Sequence, residues 1–244
     1  MSAGSLPPAQ RRTIVGEGVA VGIATGAYGV SFGAVAVAGG LSVLQACVLS
    51  LLMFTGASQF ALVGVLAGGG SPVSGAATAL LLGTRNTLYG LRLAPLLRWR
   101  GWRRAVAAQL VIDESTAMSV NREDTPAARL GFLSTGLAVF VLWNAATLIG
   151  ALTGQALGDP RTYGLDAAVG AAFLALLWPR LTDRLNRRVA VLAALVALAL
   201  VPVTPGGVPV LAAGGVALLA GALTPRRVDE TEFPDAGHVG GGHA

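Results

Sequence analysis

Long apolar runs separated by short polar punctuation dominate the chain, at roughly 14–40, 42–69, 72–97, 105–120, 130–154, 164–179, 189–204 and 207–224. Most reach the ~17–25 residues that a helix needs to cross a hydrocarbon core, although 164–179 and the last two are marginal. The weakest is 105–120, which holds Gln109, Asp113, Glu114, Ser115 and Thr116. The pattern predicts an all-α, polytopic membrane helix bundle of six to eight spans. Residues 1–13 read as a cytoplasmic tail, 14–224 as the transmembrane domain, and 225–244 as a polar, glycine-rich, disordered tail. The first apolar run is much longer than a ~7–15-residue signal core, so it is expected to stay as a helix.

Composition sharpens this picture. The 244 residues are 54% hydrophobic and only 12% charged, against about 25% charged in soluble domains. So apolar a chain cannot cover a water-facing surface, and lipid is its expected solvent. The net charge of +5 does not indicate nucleic acid, because all seventeen basic residues are arginines and most gather in short runs between the apolar segments. They cluster as Arg11–Arg12, then Arg98, Arg100, Arg103 and Arg104, then Arg180, Arg184, Arg187 and Arg188, then Arg226–Arg227. That is the distribution of cytoplasmic loops under the positive-inside rule, and it places the chain in the plasma membrane with both termini cytoplasmic.

Counting crossings exposes a conflict. If the N-terminus and the Arg98–Arg104 loop share one side, an even number of spans lies between them, yet three apolar runs do. One run is therefore expected to be broken or re-entrant. The candidate is 42–69, interrupted near its middle by Gly56-Ala57-Ser58-Gln59; 105–120 is a second. Irregular backbone at membrane depth is tolerated only where it is buried in protein or lines a cavity. In the C-terminal part, 189–204 and 207–224 are expected to pair as a hairpin with its turn on the outer side. A short shared pattern, Gly18-Val19-Ala20-Val21 and Gly136-Leu137-Ala138-Val139, allows 14–120 and 128–224 to be two structural repeats.

The candidate chemistry lies where polar groups interrupt apolar runs. Glycines crowd the first run; close helix packing is one reading. The other is that Gly26-Ala27-Tyr28-Gly29 unwinds and presents Tyr28 and backbone groups to a solute. In Thr55-Gly56-Ala57-Ser58-Gln59, Gly56 frees backbone groups beside Ser58 and Gln59. Together they offer hydrogen bonds to the ammonium and carboxylate of a zwitterion, while a purely adhesive role between helices is the alternative. Arg85 falls near the middle of 72–97, where a charge costs at least ~2.5–3.5 kcal/mol. It therefore needs a partner, either an anionic solute or Asp113 and Glu114. Those two acids can take up and release protons, or simply sit wet at a helix end. Glu17 is expected to be wet, and Asn144 structural.

Enzymatic constellations are missing. The two histidines, His238 and His243, lie in the tail, so neither a histidine triad nor a zinc site can form in the bundle. With no lysine there is no phosphate-cradling P-loop, and no cofactor is expected. Cys47 stands alone in an apolar run and reads as a small buried side chain.

Taken in order, Ser31-Phe32-Gly33, Phe54-Thr55-Gly56-Ala57-Ser58-Gln59-Phe60, Arg85-Asn86 with Leu88-Tyr89, and Asp113-Glu114 after a basic loop resemble the AzlC family, the larger subunit of branched-chain amino acid exporters. The first half carries nearly all of this likeness. In the third run Arg85 precedes Asn86, the reverse of the order expected for the family. The resemblance implies export of leucine, isoleucine, valine and related hydrophobic amino acids, with a small AzlD-like membrane partner. The expected solute ligands are Gly56, Ser58, Gln59, Arg85, Asn86 and Tyr28, and the expected proton carriers Asp113 and Glu114. A channel for another small solute and a non-transporting assembly subunit are the competing readings.

Overall fold

The computed structural model describes residues 6–122, 124–156, 174, 177–178, 181–204 and 207–223. The described residues form helices and connecting turns without strands: α1 (Pro8–Gly26), α2 (Tyr28–Ala38), α3 (Val43–Leu52), α4 (Gly56–Ala67), α5 (Pro72–Leu97), α6 (Trp102–Gln109), α7 (Asp113–Val120), α8 (Thr125–Ala156), α9 (Arg184–Leu200) and α10 (Val208–Leu223). The expected segment 164–179 lies almost wholly outside the described residues, as does the tail from 224 onwards. Helix α1 begins at Pro8 rather than at Ile14, because proline suits the first helical turn and carries the polar stretch with Arg11 and Arg12 into the helix.

Two features are long and apolar enough to cross a membrane, Pro8–Ala38 and Thr125–Ala156. They pack side by side through glycine. A methyl added at Gly18 would stand 2.5 Å from Ser134 Oγ, at Gly22 2.5 Å from Ala138 Cβ, at Gly26 2.6 Å from Leu142 Cβ, and at Gly33 2.1 Å from the Thr147 carbonyl oxygen. Numbering advances together on the two sides, so α1–α2 and α8 are parallel. Small residues let the two backbones touch, which supplies van der Waals contact where lipid gives no hydrophobic drive.

The expected unwinding at Gly26–Gly29 does not occur. Ala27 keeps helical angles (φ −56°, ψ −33°), and its N–H still bonds to the Ile23 carbonyl at 3.1 Å. Gly26 and Gly29 are packing residues, for a methyl at Gly29 would lie 2.5 Å from the Trp143 carbonyl oxygen. Tyr28 is correspondingly 60% exposed on the outside of α2.

Residues 42–69 fold back on themselves. After a turn with Gly40 at φ +94°, α3 descends along α8, where Ser50 Oγ meets Thr147 Oγ1 at 3.4 Å. The chain breaks at Met53–Thr55, and α4 returns parallel to α2: Phe60 packs edge-on against Phe32, and Val63 and Ala67 lie by Gly39. Thus α3 and α4 form a splayed hairpin whose tip lies halfway along α2 and α8. Helix α5 then runs the full depth antiparallel to α4, from Gly75 beside Leu62, past Gly83 beside Ser58, to Leu97, whose carbonyl accepts from Arg129 Nε at 2.8 Å.

Helices α6 and α7 make a second hairpin from the opposite end. Leu110 lies against Gly136 and Met118 against Gly131, so α7 descends antiparallel to α8. Its foot is tied to α1 by an ion pair between Arg122 and Glu17, which corrects the expectation of a merely wet Glu17. Helices α9 and α10 pair as expected, with Gly207 against Ser74 and Gly214 against Leu81. Helix α10 therefore runs parallel to α5, and the start of α9, with Arg184, Arg187 and Arg188, returns to the end that carries Arg11, Arg12 and Arg98–Arg104.

The glycine seam is open to test. Gly33→Val should destabilise the detergent-solubilised protein by about 1–3 kcal/mol, the usual cost of overpacking. Gly16, where an added methyl meets nothing, should accept alanine with a gain of roughly 0.5–1 kcal/mol from the better helix former. Unfolding midpoints in a denaturing-detergent titration measure both.

Candidate functional site

A helix that ends away from water leaves its last carbonyls without partners, and each must be satisfied or cost free energy. Helix α3 ends in this way at the first hairpin tip. Two glutamines resolve it. Gln59 Nε2 donates to the Ser50 carbonyl at 3.4 Å, and Gln109 Nε2 donates to the carbonyls of Leu51 at 2.8 Å and Leu52 at 3.4 Å. The second amide comes from the end of α6, so the two hairpins meet tip to tip. The second tip closes itself through Ser115, whose hydroxyl accepts from the Ile112 N–H at 3.2 Å and donates to the Leu110 carbonyl at 2.6 Å.

Trp143 holds the first tip against α8. Its indole N–H donates to Gln59 Oε1 at 3.1 Å, and its ring covers Gly56, where a methyl would stand 3.1 Å away. Phe32 and Phe60 pack on the same ring. Gln59 is fully buried with both ends of its amide engaged by the protein. The adhesive reading therefore describes Gln59, and the side chains left for a solute are its neighbours. Ser58 is 1% exposed and its Oγ has no partner; Thr55 Oγ1 is buried and equally unpartnered. Thr55 occupies the N-cap position of α4 but makes no side-chain cap bond. The first turn of α4 thus presents free N–H groups and the positive end of its dipole to the junction, without a competing acid.

Across the junction, Arg85 of α5 pairs with Asp113 of α7, Nη1 to Oδ2 at 3.0 Å, the two side chains being 29% and 32% exposed. Of the two partners open to Arg85 in sequence, the protein supplies the acid. Asp113 and Glu114 occupy the first turn of α7, where the helix dipole favours negative charge. Glu114 Oε1 lies 3.5 Å from Thr25 Oγ1 of α1. Arg85 Nε and Asn86 Oδ1 are buried and have no partner. Asn86 lines a cavity of about 380 Å³ between α5, α6 and α8.

The fold therefore places Gly56, Ser58 and Gln59 at the first tip and pairs Arg85 with Asp113 at the second, where Glu114 meets Thr25, with α5 touching the first tip at Gly83. Tyr28 makes none of these contacts. Sequence reasoning missed Trp143 and Thr25; Thr55 stood in the motif with Ser58 and Gln59, and Gln109 was named only as an amide among the polar residues of the weakest apolar run. Asn144, read as structural, donates to the Phe140 carbonyl at 2.7 Å within its own helix. Among the described residues no cluster of histidine, cysteine and carboxylate side chains could hold a metal ion.

Opposed hairpins with a polar junction, set in helices whose outer faces are leucine and valine, define an integral membrane helix bundle. Comparison with known proteins gives the family. The AzlC protein model matches residues 20–157. An uncharacterized membrane protein of Archaeoglobus fulgidus is 34% identical over 171 residues, covering 69% of this chain and 74% of the relative. The inner membrane protein YgaZ of Escherichia coli K12 is 31% identical over 204 residues, 80% of either chain. An uncharacterized membrane protein of Helicobacter pylori 26695 is 27% identical over 70% of this chain and 77% of its own. The chain belongs to the AzlC family, and the match covers both hairpins and the seam that backs them. No solved structure matches it.

The tie between hairpin and wall can be measured. In a double-mutant cycle of Gln59→Leu and Trp143→Phe, the two side chains should couple by about 0.5–1.5 kcal/mol, the net worth of one hydrogen bond. Additive effects on the unfolding midpoint would show that the bond contributes nothing.

Proposed function

We propose that this protein is a secondary exporter of branched-chain and related hydrophobic amino acids, working across the plasma membrane with a small AzlD-like subunit. The observation that carries the reading is the junction itself. The start of α4 carries N–H groups and hydroxyls without partners, Ser58 lies beside Gly83 of α5, and two residues further along α5 Arg85 pairs with Asp113. Such a site suits a zwitterion, with its carboxylate on the first turn of α4 and Ser58. The two hairpins are re-entrant, entering from opposite faces of the bilayer. On this reading α1–α2 and α5 are full spans, and the arginines of both loops lie on the cytoplasmic side. Discontinuous helices meeting near the midplane are a common way to build a transport site. The parallel seam of α1–α2 with α8 fits the idea of repeated units, although the second unit would run through residues 157–173, outside the described residues.

Alternating access follows from the weakness of what joins the hairpins. The Gln109 amide joins them, the Arg85–Asp113 pair ties the second to α5, and a hydrogen bond contributes only about 0.5–1.5 kcal/mol net. Asp113 and Glu114 carry the coupling proton in this scheme. Protonation of Asp113 would release Arg85 to the solute, and Glu114 with Thr25 would couple the same event to α1.

Efflux of preloaded radiolabelled leucine tests the reading, measured with and without a co-expressed AzlD-like partner. Efflux should require the membrane proton gradient. Arg85→Ala and Asp113→Asn should each lower it by at least ~10-fold, the loss expected for ~1.4 kcal/mol or more of binding or coupling, while membrane levels stay normal. Unchanged efflux in Arg85→Ala would remove the junction from the pathway.

A further inference from the structure

The cavity beside the junction has a chemistry of its own. It runs along α5 from Asn86 to Leu97, eleven residues or about 16 Å at the helical rise, and its walls come from α5, α6 and α8. Leu93, Leu97, Trp99, Ala107 and Phe132 make it predominantly apolar, and Arg104 stands at the arginine-rich end. At the inner end is a single amide oxygen, Asn86 Oδ1, buried and without a donor. A buried acceptor left open costs about 1–3 kcal/mol, so its presence at the head of an apolar cavity points to a donor that arrives from outside the protein.

Position supplies the rest. Ser58 Oγ lies 3.6 Å from where a Gly83 side chain would begin. Asn86 is three residues further along the same helix, an adjacent place on its surface about 4.5 Å away along the axis. That separation suits the two ends of one α-amino acid head group. We infer that this cavity holds the side chain of the solute, with the ammonium group donating to Asn86 Oδ1 and the apolar body extending from it along the α5 wall toward Gly90 and Leu93. The inference rests on the proposed carriage of a hydrophobic zwitterion and adds where its body sits and what selects it. Arg104 stands at the far end of the lining, and the apolar walls nearer Asn86 leave an acidic side chain without a partner. Discrimination against glutamate and aspartate therefore arises here, through the cost of burying an unpaired charge, rather than at the α4 terminus, which every α-amino acid satisfies alike.

The chain's single cysteine makes the test direct. In a Cys47→Ala background, Ala108→Cys places a thiol on the cavity wall, and its alkylation by a maleimide is followed in the purified protein. Leucine at ten times its dissociation constant should slow the reaction roughly tenfold, and glutamate at the same concentration should leave it unchanged. Gly90 also lines the cavity, and a Cβ added there meets no protein atom within 4 Å. Gly90→Phe should therefore fill the cavity without disturbing the fold and abolish bound radiolabelled leucine; Gly16→Phe, on the open face of α1, should not.

Leucine efflux by the unmodified protein separates the two ideas. Efflux with no protection at position 108 and unchanged binding in Gly90→Phe would overturn the pocket and leave the export reading intact. Protection without efflux would support the pocket and overturn export. Protection by glutamate equal to that by leucine would overturn the selectivity assigned here.

Discussion

The interior of this bundle is organised by a debt that every broken helix incurs. Helix α3 stops halfway through the protein, and the carbonyls of Ser50, Leu51 and Leu52 have no following turn to bond. Away from water they must find donors. Two glutamine amides supply them, one from the opposite arm of the same hairpin and one from the second hairpin. Much else follows from that arrangement. Gln59 reaches its carbonyl while its oxygen is held by Trp143, and so the tip is fixed to α8. Gln109 reaches its carbonyls only if the second hairpin rises to the same depth, and so the two tips meet. The asymmetry of helix ends then shapes the site. The carbonyl end of the break is saturated by the protein, while the N–H end, at the start of α4, is left open.

The surroundings divide into a tight wall and a looser front. The wall is the seam of α1–α2 with α8, where glycines bring backbone against backbone and even one methyl would clash. Close packing of this kind transmits force and resists rearrangement. The front consists of α5 and the two hairpins, joined by an ion pair, an amide and a few hydroxyl contacts. Polar ties of this sort are individually weak and exchange readily for ties to a solute or to water. A firm wall behind a front held by replaceable polar contacts fits the alternating access proposed above.

Much of the fold was legible before any coordinates. Apolar run lengths marked the helices, and the arginine clusters marked one end of the bundle. Their conflict with a simple count of crossings pointed to 42–69 and 105–120 as the irregular segments, and both fold back on themselves. The site was legible in part, because a polar residue in an apolar run is conspicuous. Ser58, Gln59, Arg85, Asp113 and Glu114 stood out in this way; Arg85 and Asp113 pair, and Gln59 braces the first tip. Gly26–Gly29 was open to two readings, because glycine is equally the mark of a flexible backbone and of a crowded one, and here crowding by α8 decides for packing. Trp143 gave no signal at all, since a tryptophan in an apolar helix reads as one more large hydrophobic side chain until its N–H is seen to have a partner.

The sequence by itself determined the solvent, the helices, the charged end and the residue types available for chemistry. These follow from hydrophobicity and charge, which are local and additive along the chain. Only the tertiary structure decided which glutamine is a brace, which acid Arg85 takes and which hydroxyls stay free. It also decided that Asn86 heads an apolar cavity while Tyr28 faces outward. Those outcomes depend on pairings between residues as far apart as 25 and 114, or 59 and 143. Partnership is a property of distance and direction in space, and no pattern along one chain encodes it.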